Sequence, residues 1–133
     1  MASLRYERRI AAPADDVWRI VRDPASIPTW FPGITSCRVE GRRRTIVTAT
    51  GLEMDEEILV IDETLRRFAY RVVSPLVHHH LGLIDVVALG PEDTLCLYST
   101  TAEPDTMALV IGGGTAGALD EIARIAEGEG RAR

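Results

Sequence analysis

His78, His79 and His80 stand in a row, and they are the first residues that read as chemistry. In an extended strand His78 and His80 share one face and His79 takes the other, because strand side chains alternate. An H-x-H pair on one face can supply two ligands of a metal site, which then needs a third histidine or a carboxylate. The chain has 3 histidines in all, so Glu53, Asp55, Glu57 or Asp85 would have to complete such a site. The plainer readings are a pocket-lining role for one or two of the imidazoles, or a polar strand start at the mouth of a sheet. No metal and no cofactor is expected.

Glu57, in the run MDEEILVID, shares a strand face with Leu59 and Ile61. Beside an apolar cavity its carboxyl would take up a proton more readily and serve as acid or base near neutral pH. The opposite facing, with Met54, Ile58 and Val60 inside, is equally compatible with the alternation. Tyr70 and Tyr98 fall in separate strand-like runs, where each hydroxyl can donate to a ligand carbonyl or sit at the rim of a core. Trp30 and Phe31 lie in a stiff segment between Pro28 and Pro32. There is no G-x-S-x-G, no P-loop and no suggestive Cys–His spacing, so nucleophilic catalysis has no support.

The stretch MALVIGGGTAGALDEIARI, Met107 to Ile125, imitates a dinucleotide-binding turn through Gly112, Gly114 and Gly117. That motif works only inside a βαβ unit, with an acidic residue about 20 positions on. Only 16 residues follow Gly117, and none forms a β-run. The glycines are therefore expected to thin a pocket wall or to break a helix.

The elements that would position these residues follow from periodicity. Leu4 to Ile10 reads as a strand, and Pro13 with Asp15 and Asp16 opens a short helix whose stripe is Val17, Trp18, Ile20 and Val21. Six further strands are expected at Thr35–Glu40, Arg44–Thr50, Met54–Asp62, Arg67–Val73, Val77–Leu89 and Thr94–Ala102, with short turns that favour an antiparallel meander. A closing helix should run from Asp105 to about Glu127.

The chain of 133 residues is expected to form a single domain, 1–133, with 46% apolar and 26% charged residues. A formal net charge of −5 argues against nucleic acid as partner. The arginine clusters 8–9, 42–44 and 66–67 are split along the chain and read as solvated strand ends and turns. Cys37 and Cys96 lack metal spacing and read as free thiols. No membrane span and a cytoplasmic location are expected, and a homodimer stays open.

The run IAAPADDVWRIVRDPASIPTWFPGITSCRVEG, Ile10 to Gly41, followed by EEILVID and FAYRVV, resembles the START-like or Bet v 1-like superfamily, in its polyketide cyclase/dehydrase and lipid-transport branch. The resemblance implies an α+β helix-grip fold: a seven-stranded curved antiparallel sheet wrapped round a long C-terminal helix, with one or two short helices after the first strand. It also implies a ligand cavity between sheet and helix. The expected function is binding of a small hydrophobic or aromatic molecule that is polyketide-, lipid- or hormone-like. The alternative is a polyketide cyclase/dehydratase using pocket acid–base groups. The residues expected to border the cavity are Trp30, Glu57, Tyr70, His78, His80 and Tyr98.

Overall fold

The computed structural model describes residues 1–132. Strand β1 (Ala2–Ile10) leads to α1 (Ala14–Val21), a 3-10 turn at Pro24–Ser26 and the one-turn helix α2 (Ile27–Trp30). Strands β2 (Ile34–Glu40), β3 (Arg43–Thr48), β4 (Glu53–Asp62), β5 (Arg67–Val73), β6 (His79–Gly90) and β7 (Asp93–Glu103) follow without interruption. Helices α3 (Asp105–Gly112) and α4 (Thr115–Ala132) complete the order. The strands make one seven-stranded antiparallel sheet, β1-β7-β6-β5-β4-β3-β2, which curves round the closing helices in the helix-grip arrangement. Among the described residues no strand follows Gly117, so the dinucleotide reading is excluded by topology.

Local chemistry explains the entry into the sheet. Asp15 and Asp16 lie in the first turn of α1, at its positive end. The α1 residue Trp18 donates its indole N–H to Glu63 at 2.7 Å, tying the helix to the turn after β4. Asp23 accepts the Ala25 N–H at 3.0 Å and Pro24 fixes the next backbone angle, so the chain turns immediately. Along β7 every second residue from Thr94 to Ala102 is buried, and β6 matches it with His80, Gly82, Ile84 and Val86. These residues form the inner face.

The closing helices cover that face unevenly. The main contacts of α4 are with β1, β7 and α1, whereas α2 packs on β2 at the far edge. Ala118, Leu119, Ile122, Ala123 and Ala126 of α4 are all fully buried, and their small size lets the helix lie close to the sheet. The chain breaks between α3 and α4 at the glycines, where Thr115 donates its hydroxyl to the Gly112 carbonyl at 2.8 Å. A Cβ on Gly114 would stand 2.7 Å from the Phe31 ring, so the same glycines let that ring press on the helix backbone. Among the described residues no helix is long and apolar enough to cross a membrane.

Candidate functional site

Where α4 does not reach, a cavity of about 290 Å³ opens between α2, α3 and the inner faces of β2 to β5. Ile27, Phe31, Ile46, Met54 and Ile111 wall it, and Thr48, Glu56 and Tyr70 are its polar members. A second concavity of about 450 Å³ adjoins it at the ends of β4 and β5, sharing Met54, Met107, Val110 and Ile111. Its lip is apolar: Leu52, Leu76 and Val110 are 59%, 69% and 70% exposed.

Beneath the cavity runs a buried polar layer. Arg44 on β3 and Glu56 on β4 are direct cross-strand partners, with relative exposures of 1% and 3%. The Arg44 Nε–H donates to Glu56 Oε1 at 2.7 Å, and Nη1 donates to the Pro24 carbonyl at 3.0 Å. The guanidinium lies 5.0 Å from the Tyr70 ring centroid and 5.3 Å from that of Phe68, within cation–π range. Burial pushes the Glu56 carboxyl above the usual carboxylate range, and the Arg44 charge opposes that push. Tyr70 and Tyr98 share a hydrogen bond of 2.5 Å between their hydroxyls, and burial raises both phenols. A Cβ at Gly82 would fall 2.4 Å from the Tyr70 ring, so only glycine lets that ring lie flat across the neighbouring strand.

His80 closes the same layer on the far side. Its ring lies 5.6 Å from that of Tyr70, and its Nδ1 accepts the Val72 backbone N–H at 2.9 Å. Acceptance at Nδ1 places the neutral ring's proton on Nε2, which has no protein partner among the described residues. Burial first, then the neighbouring His79, brings the imidazole down to about 4. The β5–β6 ladder stops at the Tyr70–Gly82 pair, and the splayed ends leave an outer notch of about 420 Å³ beside His78, His79, His80 and Arg71.

The residues expected from sequence divide accordingly. Tyr70 lines the cavity. Tyr98, buried and bonded to it, stands one layer behind. Trp30 is also behind the wall: its indole N–H donates to the Ser26 hydroxyl at 2.9 Å and its ring tilts against Phe31 and Tyr98. His80 is buried beside Tyr70 but opens on the notch rather than the cavity. His78 is exposed just before β6, and its N–H donates to the Glu103 carbonyl. Glu57 needs correction: it points to the outer face and pairs with Arg71 at 2.6 Å, because the inward set on β4 is Met54, Glu56 and Ile58. A bulge after Ile58 then leaves Val60 and Ile61 39% and 40% exposed. The expectation of solvated arginines fails at Arg44, which alternation places on the inward face with Ile46. Arg44 and Glu56 are thus the polar core that sequence reasoning missed. The signal was present, since opposite charges occupy apolar alternations on adjacent antiparallel strands. Cys37 and Cys96 are free, and burial pushes the Cys96 thiol up to about 12. Among the described residues, no three His, Cys, Asp or Glu side chains converge as metal ligands.

Solved structures share the whole architecture. The protein XoxI from Bacillus cereus superposes with a TM-score of 0.86 at 23% identity, covering 95% of this chain and 96% of its own. A norcoclaurine synthase point mutant from Thalictrum flavum, bound to a transition-state analogue, gives 0.77 at 20% identity, covering 96% and 95%. The di-domain ARO/CYC BexL from the BE-7585A biosynthetic pathway gives 0.77 at 18% identity, with 96% of this chain matched to 47% of that one. At these identities the likeness is one of fold. No curated protein matches the sequence. Residues 1–127 match the family described as polyketide cyclase/dehydrase and lipid transport, and the chain belongs to that family.

Proposed function

We propose that the protein binds a small hydrophobic or aromatic molecule between the curved sheet and α3. The observation that carries this reading is the cavity of about 290 Å³, whose wall is apolar except for Thr48, Glu56 and Tyr70. Few polar groups set in an apolar concavity are what a specific small-molecule site requires. The exposed apolar lip at Leu52, Leu76 and Val110 gives such a ligand a continuous path from solvent.

A second reading, acid–base chemistry of the cyclase or dehydratase type, draws on Glu56. A carboxyl pushed upward by burial, on a cavity wall beside a tyrosine, has the proton affinity that general acid–base work needs. Related folds include norcoclaurine synthase, solved with dopamine and hydroxybenzaldehyde, so this architecture accommodates enzymes of aromatic substrates.

The test uses the neutral fluorescent probe N-phenyl-1-naphthylamine. Its emission should rise on binding, with a parallel gain in melting temperature by mass action. Ile111→Trp, which fills the cavity from α3, should abolish the emission change while the protein stays folded. Unchanged binding in that variant would place the probe elsewhere and remove the reading.

A further inference from the structure

The kind of molecule the cavity accepts follows from which polar atoms reach its wall, and the inference rests on the binding reading above. Glu56 is nine-tenths buried and belongs to the wall. One of its oxygens takes the Arg44 Nε–H, and among the described residues no other protein donor bonds the carboxylate. Its second oxygen is an acceptor left for whatever fills the cavity. The cation of the pair is withheld by position: Arg44 gives Nε to Glu56 and Nη1 to Pro24, its Nη2 is buried without a partner among the described residues, and the guanidinium lies against two rings and is not part of the cavity wall. The other wall hydroxyls already have protein partners: Tyr70 bonds Tyr98, and Thr48 bonds Thr50 at 2.9 Å.

Charge reinforces the asymmetry. The carboxylates lining the cavity and its adjoining concavity are Glu53, Asp55 and Glu56, and neither lining includes a lysine, arginine or histidine, the partners Arg44 of Glu56 and Arg43 of Asp55 standing outside it. A ligand carboxylate would meet the like charge of Glu56 and find no cationic donor on the wall. A ligand ammonium would lose its hydration and bring a second positive charge near Arg44. An uncharged hydroxyl satisfies Glu56 with neither cost and makes a charge-assisted hydrogen bond.

We propose that Glu56 is a specificity-determining residue, selecting uncharged ligands that carry a phenol or alcohol hydroxyl on an apolar body and rejecting carboxylates. Four probes on one ring system test this: 2-naphthol, 2-methoxynaphthalene, 2-naphthoate and 2-naphthylmethylamine. Binding is read from the ¹³C-methyl signals of Met54 and Met107, two of the 3 methionines, with Met1 as the reference outside the wall. The naphthol should bind at least about tenfold tighter than its methyl ether, as loss of a hydrogen bond to a charged group implies. The naphthoate should shift neither methyl, and the amine should bind more weakly than the naphthol. In Glu56→Gln, which keeps an acceptor for Arg44, the preference for naphthol over ether should fall below about threefold. Equal affinity for naphthol and ether, or tighter binding of naphthoate or amine, overturns the selection and leaves cavity binding standing. No shift with any of the four overturns both the selection and the binding reading.

Discussion

Under α4 the inner face of β1 and β7 is filled by side chains, and α3 packs on the same two strands, whereas the inner face of β2 to β5, bordered by α2 and one side of α3, is left partly hollow. The packed half brings alanines to the sheet and buries Leu119 and Ile122 completely. The hollow half brings α3, whose Leu109 and Val110 are 62% and 70% exposed, and a glycine break that holds this segment apart from α4. Both halves belong to the same sheet. The difference teaches that the sheet's curvature alone does not make the cavity; it opens over the strands that the closing helices leave uncovered. The hollow half also relies on a different cohesion, a buried ion pair between aromatic rings in place of interdigitated aliphatics.

The sharpest way to break the comparison is to remove that cohesion. Arg44→Ala leaves Glu56 buried without its partner and should cost about 3–5 kcal/mol in urea unfolding. The double variant Arg44→Met with Glu56→Met should return to within about 1 kcal/mol of the parent, since paired apolar replacements of buried ion pairs are often neutral. On the packed side, Ile122→Ala should cost about 3 kcal/mol, the usual range for a cavity in a filled core. Ile111→Ala, at the hollow wall, should cost less than about 1 kcal/mol, because the space is already there. Equal losses at the two positions would dissolve the distinction.

A smaller effect is expected at Gly114→Ala. The new methyl would press the far edge of the Phe31 ring, which can swing toward the cavity. Stability should fall by about 1 kcal/mol or less, because the ring edge can yield and alanine is slightly worse than glycine just before a helix start, while affinity for N-phenyl-1-naphthylamine falls several-fold. The smallest effect concerns acid. His80 has a folded value near 4 and an ordinary value of 6.5, so the unfolded chain takes up the proton first. Its contribution to stability is complete above about pH 6.5 and is lost as pH falls toward about 4. His80→Gln, which retains an acceptor for Val72, should flatten that part of a melting-temperature profile.

Element order was legible because alternation and turn residues act locally. The strand runs, the short helix behind Asp15 and Asp16, and the closing helix all stand near their expected positions. The site was harder to read, since alternation fixes which residues share a face but not which face is inner. Glu57 and Glu56 are neighbours, and a choice of one over the other reverses the reading of the strand. The bulge after Ile58 adds to the difficulty by turning two apolar residues outward, which makes the wrong face look plausible. Arg44 was hidden by its company: within a triplet of arginines, composition suggests water, and only the cross-strand register with Glu56 shows otherwise. Trp30 and Tyr98 were placed in the right neighbourhood, yet depth behind a wall is a property of packing that no one-dimensional pattern carries.

The unzipped end of β5 and β6 has a further consequence. Beyond Tyr70 and Gly82 the backbone amide of Val72 is held by an imidazole instead of a strand carbonyl. Its exchange with deuterated solvent is therefore governed by a titratable side chain, whereas the amides of the intact ladder are governed by the opening of the sheet. Protonation of His80 at Nδ1 removes the acceptor, so the Val72 amide should lose protection in mild acid before its neighbours along the ladder do. One peptide group thus reports, from inside the wall, on the charge state of the residue that seals it.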